Sequence, residues 1–444
     1  MDTTDAIPLI ADTILAESAE ALSQLALPRI DGRIRDTLDL IRLVPGNERR
    51  GERVFPHPFP ARMPLAIAKL AIEHLSAPGE VVLDSMVGSG TTTRAASLAG
   101  RPSYGVDMDP LAVILSRSFA QCPRANDLHT WGSEVRLEAE SRFAATKLNS
   151  RRRGMAREDI TFLDYWFPRE VQHKLFCLLD AIQEVVPRNH QDAMFTVFSS
   201  LIIARSSGVS FALDLSRTRP HKDTGKPIRD AFLLWSQRII EFAKFSTNAP
   251  AGTANTDIRL GDARALAHIP DASVRLTLTS PPYGTAIDYI RASKFSLVYL
   301  ACPLATLREI RGSSIGCERG LPRDEAADHI ERLLPRREYR RVAILRRYLC
   351  DLSDMLAESA RTLRPQGAAL FAVGPSIVST TRYDAADVLA VLGEAVGLRY
   401  VGAVRRALST SNRSLPPPKR ASGEGAIHKR MNCEYYVGFM KDQA

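Results

Sequence analysis

This 444-residue chain has little of what marks a disulfide-stapled, metal-clustered or membrane-spanning protein. Its six cysteines, Cys122, Cys177, Cys302, Cys317, Cys350 and Cys433, show neither close pairing nor metal-ligand spacing. That argues against a disulfide framework and a cysteine-held metal. No apolar run reaches the roughly 20 residues a membrane helix needs. No secretory segment opens the chain, so a reducing cytoplasm is the expected setting. Internal repeats and long low-complexity tracts are missing too, which removes solenoids and disordered linkers from consideration. What is present is an ordinary globular composition, with 45% hydrophobic residues and enough length for a substantial core. Lys and Arg number 59 against 50 Asp and Glu, and the resulting net charge of +9 suits a polyanionic partner.

Two short segments carry most of the chemistry. The first runs Val81-Val82-Leu83-Asp84-Ser85-Met86-Val87-Gly88-Ser89-Gly90-Thr91-Thr92-Thr93, an apolar strand, a glycine turn and a helix start. Gly88 and Gly90 permit a tight turn and close approach of a ligand, and the helix start beyond them offers unpaired N–H groups to an anion. The spacing differs from the dinucleotide fingerprint and lacks the P-loop lysine. About twenty residues on, Tyr104-Gly105-Val106-Asp107-Met108-Asp109-Pro110 ends a second short strand in an acid. Asp107 is placed to meet ribose hydroxyls, and Asp109 reads as the turn residue. This is how a doubly wound α/β sheet opens a cofactor site.

The second segment is Thr279-Ser280-Pro281-Pro282-Tyr283-Gly284, after the strand-like run Val274-Arg275-Leu276-Thr277-Leu278. Proline fixes φ and has no N–H, so the pair makes a stiff turn that holds carbonyl oxygens in set directions with few competing donors. The tyrosine adds a flat face beside those acceptors. Taken alone, the segment also reads as a proline-rich surface turn.

Together these segments resemble the S-adenosylmethionine-dependent DNA methyltransferases that modify amino groups, the cytosine-N4 and adenine-N6 family. His57-Pro58-Phe59-Pro60-Ala61-Arg62-Met63 is similar to the family segment that helps close the cofactor pocket. Leu260-Gly261-Asp262-Ala263 resembles the acidic turn that meets the adenine ring. Ile287-Asp288-Tyr289 with Lys294-Phe295-Ser296-Leu297 is similar to the segment just beyond the catalytic turn in many members. Arg364-Pro365-Gln366-Gly367 before an apolar run resembles the fifth sheet strand, and Arg430 to Phe439 the closing hairpin strand. The resemblance covers about residues 53 to 120 and 255 to 442. It implies a Rossmann-like α/β methyltransferase fold, a mostly parallel sheet with a closing antiparallel strand, and S-adenosyl-L-methionine as cofactor. The cofactor residues it implies are Phe59, Pro60, Asp84, Gly88, Ser89, Gly90, Thr91, Thr92, Asp107 and Asp262. The catalytic residues are Ser280, Pro281, Pro282 and Tyr283.

The order of parts suggests the organisation. Residues 1–52 read as a helical lead-in with helix-like periodicity over Ile10 to Leu25, residues 53–120 and 255–444 as the catalytic domain, and 121–254 as a largely helical insertion. Within the insertion, Val171 to Val186 and Asp192 to Ala204 have helical spacing, while Ser206 to Arg229 is loop-like. Asp262 lies only eighteen residues before Ser280, so no recognition domain fits between them. Recognition of double-stranded DNA is therefore expected from 121–254, from the arginine-rich stretch Gly312 to Arg347, or from both. The first carries Trp131, Trp166 and Trp235 with Arg205, Arg217, Arg219, Lys222, Lys226 and Arg229. Such residues can stack on bases and contact phosphates, or can simply anchor helices and face solvent. The second carries Arg336, Arg337, Arg340, Arg341, Arg346 and Arg347, which either bind phosphates or pair with Glu331, Glu338 and Asp351. Ser409 to Gly425 reads as a loop.

An exocyclic amine is a poor nucleophile because its lone pair is delocalised into the ring. Its site must accept the amino hydrogens, aim the nitrogen at the sulfonium methyl and stabilise the positive charge that develops. Ser280 and the Pro281 carbonyl are the expected acceptors. The base must leave the duplex stack, with Tyr283 as its stacking face. Cytosine carbon-5 methylation would need the Pro-Cys nucleophile of another family, and Cys122 and Cys302 stand in the reverse order, Cys-Pro. Serine before the prolines resembles the cytosine-N4 group, with adenine-N6 the second reading and RNA the third. A companion restriction endonuclease is an expected partner, and no membrane or metal is expected.

Overall fold

The computed structural model describes residues 30–45, 56–59, 62–204, 208–213, 215, 220–248, 254–282, 289–317, 326–334, 339–374, 376–378, 381–383, 385–408 and 433–443. The helix expected over Ile10 to Leu25 and the loop from Ser409 to Gly425 lie outside them. In chain order the first half comprises α1 (Ile30–Leu43), α2 (Leu65–Leu75), β1 (Val82–Asp84), α3 (Thr91–Leu98), β2 (Ser103–Asp107), α4 (Pro110–Ala120), α5 (Ala125–Ala145), α6 (Leu148–Arg151), α7 (Arg157–Trp166), α8 (Arg169–Val185), α9 (Gln191–Ile202), β3 (Ala212–Leu213), β4 (His221–Lys222) and α10 (Ala231–Asn248). The second half comprises β5 (Thr256–Leu260), β6 (Val274–Thr279), α11 (Ile290–Leu297), α12 (Leu304–Ser313), α13 (Asp328–Glu331), α14 (Tyr339–Thr362), β7 (Leu363–Val373), β8 (Ser376–Val378), β9 (Thr381–Tyr383), α15 (Ala385–Ala395), β10 (Arg399–Ala407) and β11 (Cys433–Met440).

Seven strands form one sheet in the order β10-β11-β7-β6-β1-β2-β5. The run from β7 through β6, β1 and β2 to β5 is parallel, and β11 lies antiparallel between β7 and β10. This is the mostly parallel, Rossmann-like α/β sheet with a closing antiparallel strand that the sequence led one to expect. Both faces are covered, and alternation along β7 shows why. Ala368, Leu370 and Ala372 join the apolar cluster under α1 and α2, whereas Ala369, Phe371 and Val373 join the one under α14 and α15. A strand buried on both faces needs apolar residues at every position, which is the continuous run seen in the sequence.

Helix α1, from the stretch assigned as a lead-in, is part of this core. Ile30, Ile34, Leu38 and Ile41 fall on one face and are buried against the sheet. Gly438 on β11 makes the approach possible, since a Cβ there would sit 2.6 Å from Ile34 Cγ2. The insertion is helical, with α5 to α10 separating the second main-sheet strand from the third. It shares one hydrophobic cluster with α4 and α11, through Leu115, Phe119, Ile290 and Phe295.

That packing decides the role of the tryptophans. Trp235 is fully buried and its indole N–H donates to the Gly132 carbonyl at 2.8 Å. Trp131 stacks on His190 at 4.8 Å, and Trp166 meets Phe295 edge-on at 5.1 Å. Trp235 is thus a helix anchor with no face to offer a base, correcting the expectation that all three could stack on nucleotides. Some of the basic residues named with them also serve internal contacts: Lys226 donates to the Ala212 carbonyl and Arg229 to Gln237. Arg205, Arg217 and Arg219 lie outside the described residues. Among the six arginines of the second stretch, Arg346 pairs with Glu331 at 2.7 Å and Arg347 with Asp351 at 3.7 Å. Local acids therefore hold these two. Arg336 and Arg337, and the side chains of Arg340 and Arg341, lie outside the described residues.

Replacing Trp235 with Ala should destabilise the protein by about 3–5 kcal/mol, the range for deleting a buried aromatic ring. Urea unfolding at neutral pH measures it, and a loss below about 1 kcal/mol would remove Trp235 from the list of anchors.

Candidate functional site

Parallel strands send their carboxyl ends to one edge of the sheet, and there the chain gathers its polar residues. Asp84 ends β1, Asp107 ends β2, Gly261 and Asp262 come directly after β5, and Ser280 directly after β6. The strand order reverses direction between β1 and β6, the point where open α/β sheets leave a crevice. A pocket of about 330 Å³ lies there, lined by Asp84, Gly88, Asp107, Asp262 and Ser280 among others.

The glycine loop is set by backbone geometry. Gly88 and Gly90 have φ of 50° and 85°, and a Cβ on Gly90 would lie 2.8 Å from the Ser116 Cα. An L side chain at Gly90 would be strained and would strike the α4 backbone. Gly90 caps α3 without any side-chain hydrogen bond. The Asp107 carboxylate draws the loop to β2, accepting from the Gly88 N–H on one oxygen and the Asp109 N–H on the other, both at 2.9 Å. With the Met108 N–H as a third backbone donor, the carboxylate retains acceptor capacity for a ligand hydroxyl. Ser85, buried at the pocket wall, has a hydroxyl with no partner among the described residues. A turn with glycine at two of its three positions, an acid at the next strand end and a buried hydroxyl with no partner among the described residues fit a nucleoside-bearing cofactor.

Three carboxyls here are pushed above their ordinary range. Burial raises Asp84 to about 6, against hydrogen bonds from Thr279, Thr92 and Met86 that favour the charge. Burial also raises Asp107, opposed by backbone N–H groups. Burial and the neighbouring Asp107 charge raise Asp109 to about 7. Asp109, read from sequence as a turn residue, is the N-cap of α4, with Oδ1 accepting from Leu111 N–H at 2.9 Å. It also reaches α11, where the Ser293 hydroxyl donates to Oδ2 at 2.6 Å, and it lines the pocket.

Phe59 lines the opposite wall and stacks on Tyr289, ring centroids 5.5 Å apart and 13° from parallel. His57 anchors this segment, with Nε2 3.0 Å from the Ser199 hydroxyl, itself 2.8 Å from that of Ser296. Ser89, Thr91 and Thr92 line the pocket as expected, whereas Pro60 and Tyr283 lie outside the described residues. Asp262 also lines it, but both its oxygens accept from Arg264, at 3.0 and 2.6 Å.

At the Ser280-Pro281-Pro282 turn, the Ser280 hydroxyl donates to the Ala372 carbonyl on β7 at 3.1 Å. Its one proton is then committed, so toward the pocket the oxygen is an acceptor. Pro281 is buried, and the Pro282 carbonyl accepts from the Tyr348 hydroxyl at 2.9 Å. Tyr348 lies on α14 with Arg347 and Asp351. Arg347 donates to the carbonyls of Gly312 and Cys317, at 2.8 and 2.9 Å, and Asp351 receives Arg264 at 2.7 Å. One helix thus braces the Ser-Pro-Pro turn, the Asp262 turn and the wall made by Arg311, Ser314, Ile315, Gly316 and Cys317. Sequence reasoning missed that wall and Tyr348. Tyr289 was visible as part of a resemblance, without a role.

Among the described residues no cluster of three or more His, Cys, Asp and Glu could hold a metal, and no helix is long and apolar enough to cross a membrane. All six cysteines are free thiols.

Residues 31–116 match the family model described as DNA methylase, of the N6/N4 methyltransferase group. The chain is 22% identical over 257 residues to the Type II methyltransferase M.BsoBI of Geobacillus stearothermophilus, the match covering 54% of this chain. It spans half the length of that curated relative. Among solved structures, a putative DNA modification methylase from Thermus thermophilus is similar at 18% identity and a TM-score of 0.22, covering 41% of this chain and 52% of its own. A TehB-like SAM-dependent methyltransferase from Corynebacterium glutamicum is similar at 10% identity and a TM-score of 0.28, covering 85% of this chain and 87% of its own.

The raised carboxyls have a measurable consequence. Between pH about 4, where an unfolded aspartate titrates, and about 7, the folded protein binds more protons at Asp109 than the unfolded chain does. Stability should therefore fall as pH rises through that window, with Asp84 adding a like contribution up to about 6. Asp109→Asn should flatten the dependence, read as unfolding free energy in urea at several pH values. An unchanged slope would contradict the assignment.

Proposed function

Since the family model and the curated relative support the S-adenosylmethionine-dependent DNA amino-methyltransferase family, we propose that this chain methylates double-stranded DNA. The cofactor is S-adenosyl-L-methionine and the target is the exocyclic amino group of a flipped-out base, cytosine N4 in the first reading and adenine N6 in the second. The observation that carries the proposal is the Ser280 hydroxyl, turned into an acceptor by its bond to Ala372 at the wall of the pocket that holds the glycine loop and Asp107.

The cofactor, when bound, supplies a methyl group made electrophilic by its sulfonium. Gly88, Ser89 and Gly90 cradle it, and Asp107 takes ribose hydroxyls on the lone pairs its backbone donors leave. Ser280 and the Pro281 carbonyl accept the amino hydrogens and fix the direction of the nitrogen. Charge that develops on that nitrogen meets oxygen dipoles already aimed, so no reorganisation is needed. Tyr348 is a positioning residue: its bond to the Pro282 carbonyl holds the turn that carries these acceptors. Tyr283 is assigned as the stacking face from its place in the turn.

With its proton committed, Ser280 accepts only, as an ionised aspartate would. The preference for cytosine accordingly rests on the motif, because serine before Pro-Pro resembles the cytosine-N4 group. The relative's name, a Type II methyltransferase, supports a modification role beside a restriction endonuclease.

Incubation with S-adenosylmethionine and unmethylated genomic DNA, and then nucleoside mass spectrometry, should yield N4-methylcytosine. N6-methyladenine would reverse the base assignment, and neither product with cofactor binding intact would overturn the DNA reading. Tyr348→Phe should lower kcat about tenfold, the worth of roughly one hydrogen bond, at unchanged cofactor Kd by calorimetry. Equal loss of both would make Tyr348 a general packing residue.

A further inference from the structure

Helix α11 starts in the pocket wall, where Tyr289, Ile290 and Arg291 are lining residues, and then leads away from it. Lys294 is one turn beyond Arg291, and its ammonium lies 5.3 Å from the ring centroid of Phe162 on α7. Three residues further along α7, on the same face, Tyr165 is 50% exposed. Lys222, on the exposed β4 of the small hairpin, places its ammonium 4.1 Å from the Tyr165 ring centroid. Two cations of α11, two rings of α7 and the hairpin lysine thus follow one another from the pocket to the hairpin. We propose that this track, Arg291, Lys294, Phe162, Tyr165 and Lys222, is the surface that holds the sugar–phosphate backbone of duplex DNA beside the flipped base.

Two features favour that occupant. The acids of α7 are each committed elsewhere: Glu158 to Arg308, Asp159 to the Leu304 N–H and Asp164 to Arg152. The acids of α7 thus bond to groups outside the track. Each lysine also rests on a ring that limits its rotamers, so a phosphate meets a cation already in place and less entropy is lost on binding. The hairpin is itself fixed, since Ala212 pairs with Lys222 in register and its carbonyl accepts from Lys226 at 2.7 Å. This is the contribution of the insertion that the buried Trp235 does not make.

The proposal rests on the DNA reading above, and its test separates the two. Fluorescence anisotropy of a short labelled duplex over a salt series is compared for wild type, Lys222→Gln, Lys294→Gln and Tyr165→Ala. Each lysine variant should bind more weakly and lower the log–log salt slope by about one, the signature of one lost phosphate contact. Tyr165→Ala should weaken binding several-fold with a smaller change of slope. Cofactor affinity should be unchanged in all three, and Arg399→Gln, at the start of β10 on the opposite end of the sheet, should bind as wild type. A wild type that binds duplex, with lysine variants of equal affinity and slope, overturns the track alone. A wild type that binds cofactor and no duplex, or prefers structured RNA in competition, overturns the DNA reading and the track with it.

Discussion

A parallel sheet buried on both faces can place polar groups only at its ends, and the chemistry of this protein arises from that constraint. Along the buried stretches 276–279 of β6 and 368–373 of β7 every position is apolar or hydroxyl-bearing, and carboxylates appear where β1, β2 and β5 stop, at Asp84, Asp107 and Asp262. Carboxyls held at such an edge are only partly hydrated. Their upward shifts at Asp84 and Asp109 are the electrostatic result, offset by hydrogen bonds from loop N–H groups and hydroxyls. At Asp107 the opposing bonds include the Gly88 N–H, so the bond that favours that carboxylate also ties the glycine loop to β2.

The second organising element is α14. Its Tyr348, Arg347 and Asp351 reach three separate segments of the pocket, through the Pro282 carbonyl, the carbonyls of Gly312 and Cys317, and Arg264. Asp351 is 1% exposed and sits between two guanidiniums, so removing it would leave Arg264 to Asp262 and Arg347 to carbonyl acceptors alone. The arginine-rich stretch that resembled a phosphate-binding face is thus partly an internal scaffold. Arg347 is 8% exposed and points into the wall of the pocket.

The insertion shows the same economy. Its helices share a continuous apolar cluster with α4 and α11, which positions its surface relative to the pocket. Tryptophan is a large apolar residue with one donor, and at Trp235 both properties are satisfied inside the protein. Tyr165, by contrast, is half exposed, with the Lys222 ammonium over its ring.

Sequence by itself indicated the strands before the glycine and proline turns, the two turns themselves and the acid at the end of β2, because each depends on neighbours within a few residues. Alternation, the φ freedom of glycine and the rigidity of proline are local properties that a chain declares wherever it is read. It also declared the helical insertion and the closing strand. Tertiary structure alone decided the direction of the Ser280 proton, set by Ala372 some ninety positions away, and the commitment of Asp262 to Arg264. It decided the wall from Arg311 to Cys317, the brace from Tyr348 and the burial of Trp235. These depend on contacts between segments far apart in sequence, where a hydroxyl, guanidinium or indole takes the partner that packing brings to it. Residue type states what a side chain can bond, and only the packed fold states which bond it makes.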